Sequence, residues 1–335
     1  MAAPFDLGLV VDDELLGEMW EIGPIEGEDA ELAFPGPRGE DGFAPPLRAE
    51  LAPIRDALID DCWGDRSNGG STIHGVSISF PIAPESMPSG FIPEEHRADG
   101  DELRALARAT EAWLARFVAW LSVLASQPID LRNPADVIPS RPSFATWHFM
   151  LADGRPARRS TPKATEIIWD RDSVWGERVI SRDAVEYALE RANAGADPST
   201  ALELRRNSHL AARRQDRRAA LADAGTACEA WLTQLLGLPP NHARTLGGLV
   251  TDAASLGVPS DAKAALVDPR NDALHRGIAP TAPELSRALT ICDEIWALLG
   301  SDESRIAAAM PTAQRPGRMN IIIQQTASAA EEETT

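Results

Sequence analysis

"DPRNDALHRG", residues 268–277, gathers an Asp-Pro pair, two arginines, an asparagine and one of the chain's six histidines into ten residues, and closes on a glycine. Asp268 followed by Pro269 reads as a helix start, with the aspartate as N-cap and the proline at the first helical position. That places Arg270 and Asn271 in the first turn, where backbone N–H groups point outward and favour an anion. His275 follows Asn271 by four residues, so the two share a face. Arg270 precedes His275 by five, roughly 140° away around an ideal helix. Gly277 then ends the helix. Arginine offers a fixed fork of donors to phosphate oxygens, and histidine exchanges a proton near neutral pH. RNA carries its own nucleophile in the 2′-OH, so this set suits phosphodiester cleavage with no metal, no cofactor and no serine or cysteine nucleophile. The bland alternative is a capped surface helix with incidental arginine and histidine.

The surroundings are helical. Residues 201–300 hold no convincing strand and four helical segments, the layout of an antiparallel bundle. The first segment spans about 202–236, with Leu221, Ala224, Cys228, Trp231, Leu232 and Leu235 on one stripe. The second, about 243–256, repeats Leu246, Leu249, Val250, Ala253 and Leu256 and meets Gly257 at a position suited to a helix stop. The third contains the opening stretch. The fourth begins with a capping box, Thr281 and Glu284, then turns Leu285, Ala288, Leu289, Cys292, Ile295, Trp296 and Leu299 to one side before Gly300.

Within this frame "RNDALH" (270–275) resembles the Arg-polar-x-x-x-His motif of the HEPN domain family. A long first helix, "HRG" after the motif and a final amphipathic helix extend the likeness over about 201–300, under a third of the chain. The resemblance implies a four-helix fold, commonly a homodimer with the motifs of two subunits facing one cleft. For many members it implies metal-independent endoribonuclease activity that leaves a 2′,3′-cyclic phosphate, and roles in bacterial stress, toxin or antiviral systems. By position, Arg270 would bind the phosphate, Asn271 would assist, and His275 would act as general acid/base, with Arg276 in support. Dimerisation would ease the 140° offset, because Arg270 of one chain could work with His275 of another. Some members only bind, so a non-catalytic dimerising or nucleotide- or partner-binding module stands as the alternative.

A second basic feature is "RRNSHLAARRQDRR" (205–218), six arginines against one acid. Read as one helix, it pairs Arg213 with Arg217 and Arg214 with Arg218 at i,i+4, like charges that repel mildly. RNA phosphates would relieve that repulsion, and so would the acidic N-terminal region. A solvated helix face is the plain reading.

The first 195 residues read as a separate mixed α/β domain that senses, regulates or selects substrate, possible host to a regulatory partner or ligand. "MWEIGPI" (19–25), "STIHGVSISFPI" (71–82), "FATWHFMLADG" (144–154) and "TEIIWD" (165–170) have strand character. "GDELRALARATEAWLARFVAWLSVLA" (100–125) is an amphipathic helix, and "SRDAVEYALERANAG" (181–195) a shorter one. "ANAGADPST" (192–200) reads as a linker or a helix break, and 301–335 as a mostly disordered tail in which only "MNIII" (319–323) looks ordered. The fold class is thus multidomain α+β.

Composition bounds the partners. The net charge of −19 argues against a chain that coats nucleic acid. The acids concentrate early, about 16 against 3 bases in residues 1–61. Three cysteines are too scattered for a disulfide framework or zinc site and fit a reducing cytoplasm. No apolar run reaches membrane-spanning length, and the first residues lack a basic signal region. Asp170 and Asp172 form a DxD after a strand, read as a turn for want of a nearby Gly-Ser.

Overall fold

The computed structural model describes residues 2–35, 64–67, 70–79, 100–127 and 178–312. The expected strands at 144–154 and 165–170, the DxD at 170–172 and the segment 319–323 lie outside the described residues. What is described is mostly helical, with an antiparallel sheet near the N-terminus.

The sheet comprises β1 (Ala2–Val11), β2 (Met19–Ile25), β3 (Glu28–Ala33), β4 (Gly64–Ser67) and β5 (Gly70–Ser79) in the order β1-β5-β3-β2, with β4 also paired to β5. β2 and β3 join through Glu26 (φ 52°) and Gly27 (φ 87°), two left-handed residues that match the twist of a hairpin. Trp20 and Ile22 alternate inward; the register then slips between Ile22 and Ile25, which returns Ile25 to the core across Gly23-Pro24. Pro24 is tolerated because β2 is an edge strand. The strand character of 19–25 and 71–79 was legible in the sequence. β3 was not, because Glu28, Asp29 and Glu31 mask the alternation of Ala30 and Leu32, both buried.

Eight α-helices follow among the described residues: α1 (Gly100–Ala125), α2 (Arg182–Asn193), α3 (Thr200–Arg213), α4 (Arg217–Leu235), α5 (Leu246–Asp252), α6 (Asp268–Asn271), α7 (Ala282–Leu298) and α8 (Asp302–Ala309). Helix α1 is amphipathic as expected and buries Leu106, Trp113, Leu114, Phe117, Leu121 and Leu124. From Trp120 to Ala125 every residue is buried, so α1 ends inside the molecule. A helix leaves its last carbonyls unbonded, and buried ones need donors. Arg178 N–H supplies one to Ala125 O (2.9 Å), Arg205 Nη1 another to Val123 O (3.0 Å), and the Arg213 guanidinium bonds Ser126 O just beyond. Gln127 joins this end to the sheet: its Oε1 accepts from Val10 N–H and its Nε2 donates to Val10 O, each at 2.8 Å.

Three expectations need correction. The segment 202–236 is not one helix: Gln215 takes a left-handed φ of 60°, and Asp216 caps a new helix by accepting from Ala219 N–H at 3.1 Å. Arg213 and Arg214 therefore end α3 while Arg217 and Arg218 begin α4, and the i,i+4 repulsion does not arise. The break at 192–200 does not divide the core, because one apolar cluster runs from Leu9 through Leu121 and Val185 to Ile295. The described part of the expected tail, 301–312, holds a packed helix: Ser301 caps α8, whose Ala307 is buried, and Tyr187 on α2 donates to Glu303 Oε1 at 2.5 Å.

Other readings hold. Thr281 and Glu284 form the capping box of α7, and the stripes of α4 and α7 are buried through Leu221, Ala224, Cys228, Trp231, Ile295 and Trp296. Helix α5 is shorter than expected and passes into a 3₁₀ turn, Ala254–Leu256, before Gly257 at φ 97°. Leu256 is left exposed rather than buried.

Candidate functional site

The opening stretch lies in one helical run from Ala262 to Arg276, made of a π-turn (Lys263–Val267), α6 and a second π-turn (Asp272–Arg276). Asp268 is not an N-cap. Its backbone is helical (φ −65°, ψ −48°) and its N–H bonds Lys263 O, five residues back. The Asp-Pro signal misled because Pro269 sits inside the run. Proline has no N–H, and its ring crowds the carbonyl four residues back; the widened turn ending at Val267 takes up that clash. The free first-turn N–H groups expected at Arg270 and Asn271 are therefore absent.

The second π-turn changes the geometry in the other direction. Gly277 (φ 70°) bonds back to Asp272 O, again across five residues, and Ile278 N–H bonds the same carbonyl at 3.1 Å. With i→i+5 bonding, residues five apart fall nearer one face than the roughly 140° of an ideal α-helix.

The side chains differ in setting. His275 and Asn271 are exposed, and Arg270 is half-buried. No side-chain hydrogen bond or ion pair engages any of the three among the described residues. The Arg270 stem lies across Gly225 of α4, and its Nε is buried without an acceptor. Arg276 is engaged instead, Nη1 to Asp272 Oδ1 at 2.9 Å, an exposed i,i+4 pair.

The structure sorts the remaining basic residues. Arg217 reaches the end of the motif segment, with Nη1 donating to Pro280 O at 3.2 Å, and Arg218 beside it is exposed. Arg213 is half-buried and bonds Ser126 O at the buried end of α1. Arg214 is exposed at the C-cap of α3.

One polar cluster escaped sequence reasoning. Arg205, fully buried, places Nε 2.6 Å from Asp293 Oδ1 and its guanidinium carbon 4.2 Å from the Trp296 ring centroid. His209, also buried, has Nε2 3.6 Å from the same carboxylate oxygen, a charge contact too long for a hydrogen bond. Burial alone would raise the Asp293 carboxyl; Arg205 and His209 outweigh it and hold it well below the usual carboxylate range. Burial pushes the His209 imidazole down, Asp293 opposes that, and Arg205 and Arg213 add to it. The signal was present: Leu202, Arg205, His209 and Ala212 fall on one stripe of α3, so two ionisable groups stand in an apolar face. The cluster is closed around its own ion pair and reads as a clamp between α1, α3 and α7.

Cys228 and Cys292 are buried free thiols, and burial pushes the Cys228 thiol well up, away from nucleophilic character. His242 is held locally: Nδ1 accepts from Arg244 N–H at 3.1 Å, so Nε2 is the protonated nitrogen facing Thr233 Oγ1 at 2.8 Å. Among the described residues no cluster of three His, Cys, Asp or Glu side chains is arranged to hold a metal ion, and no helix is long and apolar enough to cross a membrane.

Comparison with family models, with curated proteins and with solved structures returned no match.

Proposed function

We propose that the helical layer over residues 201–300 is a HEPN-like bundle that cleaves RNA without a metal ion. The observation that carries this reading is the placement, in one helical run, of an arginine fork with no side-chain hydrogen-bond partner and, five residues on in the following π-turn, an exposed histidine. Arg270 binds the scissile phosphate, and Arg217 and Arg218 extend the positive surface at the end of the turn. The 2′-oxygen attacks phosphorus while the bond to the 5′-oxygen breaks. One imidazole takes the 2′-OH proton and an acid returns a proton to the leaving oxygen. In a homodimer the two copies of His275 divide those roles, and Asn271 assists at the phosphate. The product is a 2′,3′-cyclic phosphate. The sheet and α1, which share a core with this layer, serve as its regulatory or substrate-selecting part, and the setting is a cytoplasmic defence, toxin or stress system.

The test incubates RNA with the full chain in EDTA and analyses the ends. Cleavage to cyclic phosphates, lost in both Arg270→Ala and His275→Ala, is expected. Intact RNA, or cleavage indifferent to both substitutions, sinks the nuclease reading. The alternative, a non-catalytic module, draws support from Leu274 (44% exposed) and Ile278 (49% exposed), apolar residues that flank His275 and suit contact with a second copy or another partner.

A further inference from the structure

We infer that Gly225 seats Arg270 for end-on phosphate binding, an assignment that rests on the nuclease reading for its chemistry and on packing for its geometry. Gly225 is a buried residue inside α4, a 19-residue helix. Glycine in a helix interior is unfavourable relative to alanine, so its presence there calls for a reason. A Cβ built on Gly225 would overlap Arg270 Cδ, lie 2.5 Å from Nε and 3.4 Å from Cγ, and the three nearest atoms all belong to that side chain. The missing methyl is the groove in which the arginine stem lies.

Two consequences follow. A seated stem has fewer rotamers to lose when a ligand arrives, which favours binding by preorganisation. The Nε–H is also turned into the groove with no acceptor. A phosphate is therefore met by the two terminal nitrogens, end-on, rather than by Nε and one terminal nitrogen. A buried donor left unbonded is a local penalty, tolerated here because it fixes the fork's direction. Gly225 touches no substrate and acts through Arg270 as a positioning residue.

Full-length protein labelled with ¹⁵N-arginine tests the seating. The Arg270 Nε–H resonance is assigned by its loss in Arg270→Lys. In the native chain it should exchange with water about tenfold or more slowly than exposed arginines, and Gly225→Ala should remove that protection. Gly247→Ala is the control, since a Cβ there meets its nearest neighbour, Val267 Cγ1, at an ordinary 3.5 Å. An unprotected native Nε–H, or protection that survives Gly225→Ala, overturns the assignment. In RNA cleavage, Gly225→Ala should lower kcat toward the Arg270→Ala level, about 10²-fold, with KM changed little and Gly247→Ala near native. Native kcat in Gly225→Ala, where Arg270→Ala is inactive, also overturns it. Activity that is absent or insensitive to Arg270→Ala rejects the nuclease reading instead, and the exchange measurement still decides whether Gly225 seats the arginine.

Discussion

Arg205 belongs by sequence to a run of six arginines, yet its side chain has no solvent exposure. What separates it from its neighbours is the buried end of α1, whose carbonyl at Val123 it bonds while its Nε pairs with Asp293. Replacing Arg205 with methionine should leave Asp293 and that carbonyl unpaired and destabilise the fold by about 3 kcal/mol or more, read as a lowered urea midpoint. His209 sets a pH dependence at the same place. Its folded pKa lies below the ordinary 6.5, so between those two values the unfolded chain binds more protons than the native one. Stability should then fall as pH drops below about 6.5, and Asp293, held low, should add a further loss once pH falls below its ordinary 3.8. In His209→Gln the first of these slopes should flatten in melting temperatures taken from pH 7 to pH 5; an unchanged slope would show that His209 does not carry it.

At the scale of elements, end signals were read well where they were local. The Thr281–Glu284 box needs only four residues of one chain segment, and it is present, with Thr281 N–H donating to Glu284 Oε2 at 2.7 Å. Thr281→Ala should weaken α7 by about 1 kcal/mol, measured by equilibrium denaturation. Asp268-Pro269 carries an equally strong start signal and is not a start, because the upstream residues Ala262, Leu266 and Val267 are buried and keep the chain helical through it. The π-turn before Pro269 is the compromise between that burial and proline's missing donor.

For the whole molecule, the shared core decides how the parts can be separated. The sheet, α1, α2 and the later helices contribute to one apolar cluster, and α3 is tied to the end of α1 by Arg205 and Arg213. A fragment of residues 196–335 would expose the apolar surface that α1 covers and take from Arg205 its acceptor at Val123 O. It should unfold without a cooperative transition and bind a hydrophobic dye, whereas the full chain should give one transition. A fragment that melts cooperatively would instead restore the two-domain division expected from the sequence. The helical layer is thus tied to the N-terminal half through arginines on helix carbonyls.

The sequence by itself determined the helices with clear apolar periodicity, the capping box, the glycine stops at 257 and 277, and the residue types of the proposed phosphate site. These depend on neighbours three to five residues apart, whose geometry a helix fixes. Only the tertiary structure decided that the run 202–236 breaks at Gln215, that Arg205 and Arg213 turn inward, that Asp268 lies mid-helix, and that the Arg270 stem rests on Gly225. The inward turn of Arg205 and Arg213 and the seat of Arg270 depend on partners distant in sequence. The buried end of α1 requires donors that α3 supplies across some eighty residues, and the groove for Arg270 is a missing methyl group 45 positions upstream. Long-range packing sets both, and no local pattern records it.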